Sequence, residues 1–222
     1  MMITGLTILC ILAAGLSMTF VAMRLVDQHG QPLQNSPDLV RSIVIVDTDE
    51  KPESSPMEVA LAKLDAEEVN VEPRKPLFVF FPTISTHTPF RPTPPYQPDW
   101  QRMLTNRPFD QNDLAHAFDQ QADWLNLGPS YVDAMAYSYA TLTGYLRANA
   151  NRDFVMIVLG DHQPPALVSG EGAPWDVPVH VITGRRAVLD RLRIYGFREG
   201  LTPARPIVGG MHKLLPVLLD AF

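Results

Sequence analysis

The sequence predicts an α/β domain, a largely parallel sheet flanked by helices, preceded by one membrane helix. Three observations predict it. The runs "PLFVFF" (76–81), "DFVMIVLG" (153–160) and "VPVHVITG" (177–184) are mostly apolar, are bounded by turn residues and have the length of buried strands. Segments of helical periodicity alternate with them, and strands that alternate with helices favour parallel pairing. Ahead of both, residues 2–23 contain no charged side chain. As a helix that run is roughly 33 Å long, enough to cross a hydrocarbon layer of about 30 Å. No basic residue opens it, which favours a retained span over a cleaved signal peptide; a buried soluble helix is the third alternative. Cys10, the single cysteine, lies within it as a small apolar residue.

Each element has its own justification. Residues 1–25 form the membrane helix or uncleaved anchor. Residues 26–75 are a polar, acidic lead-in, with nine acids against two lysines over 47–72. Within it "SPMEVALAKLDAEE" suits a short helix, with Ser55 as N-cap and Pro56 in the first turn. Residues 76–222 form the domain. "TPFRPTPPYQPDW" (88–100) is dense in proline and forms a fixed loop. The stretch 128–150 is a helix. Pro129 suits its first turn, and Tyr131, Met135, Leu142 and Leu146 recur at helical spacing as core residues. Residues 186–197 and 208–222 supply two further helices.

Composition narrows the function. The 222 residues are 46% hydrophobic and 19% charged, which fits a folded domain with an apolar appendage. A net charge of −6 argues against a nucleic-acid partner. One cysteine excludes an internal disulfide and a cysteine-rich metal site.

Ligands of open α/β sheets bind beyond the carboxyl ends of the strands. The strand at 76–82 runs into "TISTHTPF" and the strand at 153–159 into "GDHQPP". If the two strands are parallel neighbours, His87 emerges on the same edge as Asp161 and His162. Asp161 and His162 offer a carboxylate and an imidazole, which suit Zn or Mn, and the carboxylate also suits Ca or Mg. An equally simple reading is a strand-end turn with a capping histidine, because an open catalytic metal site needs at least three protein ligands. His180 sits inside an apolar strand as a core residue. His29 and His116 lie in polar surroundings at the surface. His212 follows "VGG" before a helix, where its ring or the backbone N–H groups suit an anion.

"STHTPF" after a buried strand, the helix "YVDAMAYSYATLTGYL" and the strand "FVMIVLGDHQPP" follow one another in an order that resembles the sulfatase and alkaline-phosphatase superfamily. The likeness is to its membrane-anchored bacterial members, the sulfatase-like and lipoteichoic-acid-synthase-like hydrolases and transferases, and covers roughly residues 57–222. The resemblance implies a partial alkaline-phosphatase-like domain that hydrolyses or transfers phosphate or sulfate esters, including lipid- or glycan-linked ones, with a divalent metal. It implies that Asp161 and His162 are metal ligands and that His87 is the catalytic and substrate-contacting histidine. His212 stays a substrate-binding candidate. It also implies a single-pass protein of the plasma membrane with its domain in the periplasm or outside the cell. Arg24 and Arg41 after the apolar run favour the opposite orientation.

The chain departs from the family in one respect. The family's nucleophile and first acidic ligand lie in an amino-terminal half of well over a hundred residues. Here "SIVIVDTDE" imitates the early strand, with Asp47 or Asp49 as its acid, and no segment between it and His87 looks like a nucleophile turn. The chain therefore reads as the carboxyl-terminal half of such a domain, either an incomplete enzyme or an inactive remnant that binds metal, substrate or another protein.

Overall fold

A computed structural model of the chain describes residues 7–13, 43–45, 61–62, 77–83, 85–203 and 205–222. The fold is mixed α/β. Five strands, β1 (Thr7–Ala13), β2 (Ile43–Ile45), β3 (Leu77–Thr83), β4 (Phe154–Gly160) and β5 (Val179–Thr183), lie in the order β2–β3–β1–β4–β5. The backbone of β1 runs parallel between β3 and β4, aligning Thr7 with Leu77 and Phe154 and Ala13 with Thr83 and Gly160. β2 is parallel to β3.

Two features differ from the sequence expectations. Residues 7–13 fall inside the run expected to be a membrane helix, and they are a strand. An apolar run without charge satisfies a buried strand as well as a buried helix, and periodicity does not separate the two. The other residues of that run lie outside the described ones. Among the described residues no helix is long and apolar enough to cross a membrane. The second difference is β5, which pairs antiparallel with β4, Val158 opposite His180. Only a four-residue helix interrupts the proline-bearing connection between them. A parallel return usually takes a full crossover helix.

The helices are α1 (Gln111–Phe118), α2 (Gly128–Ala148), α3 (Ala166–Ser169), α4 (Arg186–Ile194) and α5 (Leu214–Ala221). α1 has no counterpart among the sequence expectations. Its cap is orthodox: the Asp110 carboxylate accepts the Asn112 N–H at 2.8 Å. α2 begins with proline in its first turn, as expected. Its last turn is closed by Asn149, which donates from backbone and side chain to the Tyr145 carbonyl. Of the short helix expected at 55–68, residues 61 and 62 are helical and the rest lies outside the described residues.

β4 is buried on both faces, which explains its unbroken apolar sequence. On one face Met156 packs with Val79, Phe81 and Leu61 against Leu142 and Tyr145 of α2. On the other, Val155 and Ile157 pack against Val188 and Leu192 of α4 and Leu218 and Ala221 of α5. The proline-rich loop closes over α2 at Gly144. A Cβ there would stand 2.5 Å from the Tyr96 hydroxyl and 3.0 Å from Trp100 Nε1, so the close approach requires glycine.

Candidate functional site

The carboxyl ends of β3 and β4 open into a cavity of about 410 Å³ between the sheet and α2. Thr83, Thr86 and His87 line it from the β3 side, and Gly160, Asp161 and His162 from the β4 side. One strand position separates β3 from β4, so at about 4.8 Å per strand the two sides stand roughly 10 Å apart. That width admits a small ligand. β1 fills the intervening position.

The segment carrying His87 is fastened to α2. Phe90 is buried at φ 63°, a left-handed conformation unusual for a bulky residue. It meets Tyr131 edge to face at 5.2 Å and packs on Leu127 and Ala134. Arg91 binds Ser130, Gln120 and Asp133. Ser138 donates its one hydroxyl proton to the Ala134 carbonyl at 2.9 Å, so its 2.9 Å contact with Ser85 is donated by Ser85. On the other side, Gln163 bonds the Asp176 carbonyl and Ser169 the Pro164 carbonyl, which fixes the turn after His162.

His87 and His162 share one local geometry. In each, Nδ1 lies 2.7 Å from the carbonyl of the next residue, Thr88 or Gln163. A carbonyl only accepts, so Nδ1 carries the proton in both neutral rings and Nε2 keeps a free lone pair. This is the tautomer of a metal-ligating histidine whose other nitrogen is anchored by the protein. Asp161 Oδ1 accepts the His162 backbone N–H at 2.9 Å, and Oδ2 lies 3.7 Å from His162 Nε2. Donor chemistry at this pair fits a divalent cation as far as it goes, with one carboxylate and one correctly prepared imidazole. Among the described residues no group of three or more His, Cys, Asp or Glu is arranged to hold a metal.

Among the hydrogen bonds of the described side chains, none joins a Ser or Thr hydroxyl to the ring of His87 or His162. Burial, and after it the neighbouring Tyr139, hold the Tyr131 phenol above its ordinary value. Tyr131 is therefore a protonated donor at neutral pH.

Four residues stand elsewhere than the sequence reading puts them. His180, read as core, lines the cavity, and burial pushes its imidazole below the ordinary value. Tyr131 and Met135, also read as core, form the cavity wall on α2, while Leu142 on the same helix face reaches both the cavity and the core. His212 sits in an exposed 3₁₀ turn, Met211–Lys213, outside the cavity lining. Helical spacing identifies a buried face but does not say which part of it a cavity occupies, so Tyr131 and Met135 were not separable from core by pattern alone.

The geometry defines a class no narrower than a mixed α/β protein with a histidine- and carboxylate-bearing cavity at the ends of its strands. Compared with known protein families, curated proteins and solved structures, the chain matches none.

Proposed function

We propose that the cavity binds a phosphate or sulfate ester, with a divalent cation (Mn, Zn, Ca or Mg) at Asp161 and His162 and with His87 on the ester. On this reading the chain carries the carboxyl-terminal part of a sulfatase-like hydrolase or transferase of the alkaline-phosphatase type. The observation that carries it is the meeting of His87 with Asp161 and His162, 74 positions apart, in one cavity at strand carboxyl ends.

When bound, the cation supplies neutralisation of the ester oxygens and a lower pKa for an attacking hydroxyl. The chain's own residues then have separate tasks. Asp161 supplies a negative carboxylate and His162 its Nε2 lone pair, held in line by the Gln163 carbonyl. His87 presents Nε2 to the ester, and in its protonated form donates from that nitrogen to the leaving oxygen. Tyr131 offers a phenolic donor from the α2 wall. Phe90 and Arg91 keep the His87 segment against α2.

A second reading has its own support. Two metal donors, with no Ser or Thr hydroxyl hydrogen-bonded to the ring of His87 or His162 among the described side chains, suit a module that binds ester or metal without turnover. Purified chain is incubated with 4-nitrophenyl phosphate or sulfate and Mn or Zn, and metal uptake is measured alongside product. Turnover that Asp161→Ala abolishes supports the enzyme. Metal uptake without turnover, weakened about 100-fold or more by Asp161→Ala, supports the binding module. No metal uptake sinks the ligand assignment under both.

Attachment to the plasma membrane through residues 2–23 belongs to the same proposal, and it competes with β1. A span takes about 20 consecutive helical residues, so Thr7–Ala13 would have to leave the sheet. Alkaline carbonate extraction of membranes separates the two states: a spanning chain stays in the pellet, and a chain with β1 in its sheet is released.

A further inference from the structure

His180 breaks the pattern of its own strand. Val179 and Val181 pack on the cluster beneath α4 and α5, and Ile182 packs on the cluster beneath α2. Alternation therefore sends His180 to the α2 face, where an apolar side chain would continue the core. Instead an imidazole lies there, opposite Val158 and on the cavity wall. His87 and His162 each have a carbonyl on Nδ1, whereas no described residue hydrogen-bonds the His180 ring. Its surroundings favour the neutral ring, which offers one N–H donor and one acceptor nitrogen. The half-buried ring borders the cavity, so a ligand atom there can meet its polar nitrogen. Such departures from local pattern concentrate at functional sites.

The topology gives the ring a direction of approach. β5 borders β4 on the side away from β3. His180 and His87 therefore reach the end of β4 from opposite sides, with Asp161 and His162 between them.

We infer that His180 is a ligand-binding residue of this cavity, hydrogen-bonding an oxygen of the same phosphate or sulfate group that His87 contacts. The inference rests on the oxyanion reading of the cavity and adds to it a third imidazole, from β5. It also accounts for a polar ring at a place where strand alternation alone would set valine or isoleucine.

The test is a titration of the full chain with inorganic phosphate in Mg²⁺-containing buffer, followed by side-chain ¹H–¹⁵N spectra of its six histidines. Single variants assign the signals. The His180 and His87 ring signals are expected to move together, with one midpoint. His180→Phe is expected to raise the phosphate Kd about tenfold, the loss of one hydrogen bond to a charged group. His180→Gln, which keeps a donor, recovers most of that loss. Neither substitution is expected to lower the melting temperature by more than a few degrees. A His180 signal that stays fixed while His87 and His162 move overturns the inference and leaves the oxyanion reading intact. So does an unchanged Kd in the folded Phe variant. If no histidine signal moves at any phosphate concentration, the oxyanion reading fails and this inference fails with it. Should either variant not fold, the wild-type titration alone decides.

Discussion

β4 holds two environments within nine residues. Val155, Met156 and Ile157 are 0–2% exposed and closed on both faces by separate apolar clusters. Asp161 and His162, just beyond its end, have 28% and 49% of their side-chain surface open. The difference follows from what covers the strand. α2, α4 and α5 seal its middle, and past Gly160 the helices give way to a turn held by Gln163 and Ser169. The lesson is that one continuous backbone passes from a sealed core to an open cavity edge within a few residues. The middle carries dispersion and hydrophobic burial, and the end carries polar groups positioned by that middle.

Three substitutions break or sharpen this division. The largest effect belongs to Phe81→Ala, which empties the α2-side cluster. It is expected to cost about 3–5 kcal/mol, read from urea denaturation, because a buried aromatic leaves a cavity its neighbours only partly fill. If the unsubstituted chain takes up metal, Phe81→Ala molecules that remain folded should take it up as well. A folded Phe81→Ala chain with no metal uptake would show that the two regions are one unit.

Gly144→Ala comes next. Alanine gains roughly 1 kcal/mol of helix propensity over glycine in an isolated helix. Here its Cβ meets the Tyr96 hydroxyl and Trp100, and overpacking of that kind costs about 1–3 kcal/mol. A net loss in melting temperature is expected. A rise would mean that the 88–100 loop yields freely and does not brace α2.

The smallest effect is expected from Asp153→Asn, at the opposite end of β4 from the cavity. Arg185 donates to this carboxylate at 2.8 and 2.6 Å, and that hydrogen bonding holds the Asp153 carboxyl below its ordinary value. The pair is largely exposed, so it contributes less than about 1 kcal/mol. Because the folded value is lowered, its contribution is present above the ordinary aspartate range, near pH 4, and is lost as pH falls through the lower folded value. Asp153→Asn should therefore flatten the acid limb of the stability profile slightly and leave cavity binding unchanged.

What the sequence made legible follows the same division. β3, β4 and α2 were readable because both-face burial and a helical period each leave a pattern along the chain. The direction of β5 was not, since pairing sense depends on how the 161–178 connection runs in space. Residues 7–13 were ambiguous because a charge-free run carries no period. At the site, His87, Asp161 and His162 were readable from their position after buried strands. His180 was not, because a histidine between valines looks like a core residue. The signal was present in the alternation, where 179 and 181 face one cluster and 180 faces the other side.

The carbonyl bonds on His87 and His162 also make the two nitrogens of each ring unequal. With Nδ1 tied at 2.7 Å to Thr88 or Gln163, neither ring can pass a proton through itself from one nitrogen to the other without breaking that bond. Both rings are therefore one-ended: the protein holds one nitrogen, and the other is left for whatever enters the cavity.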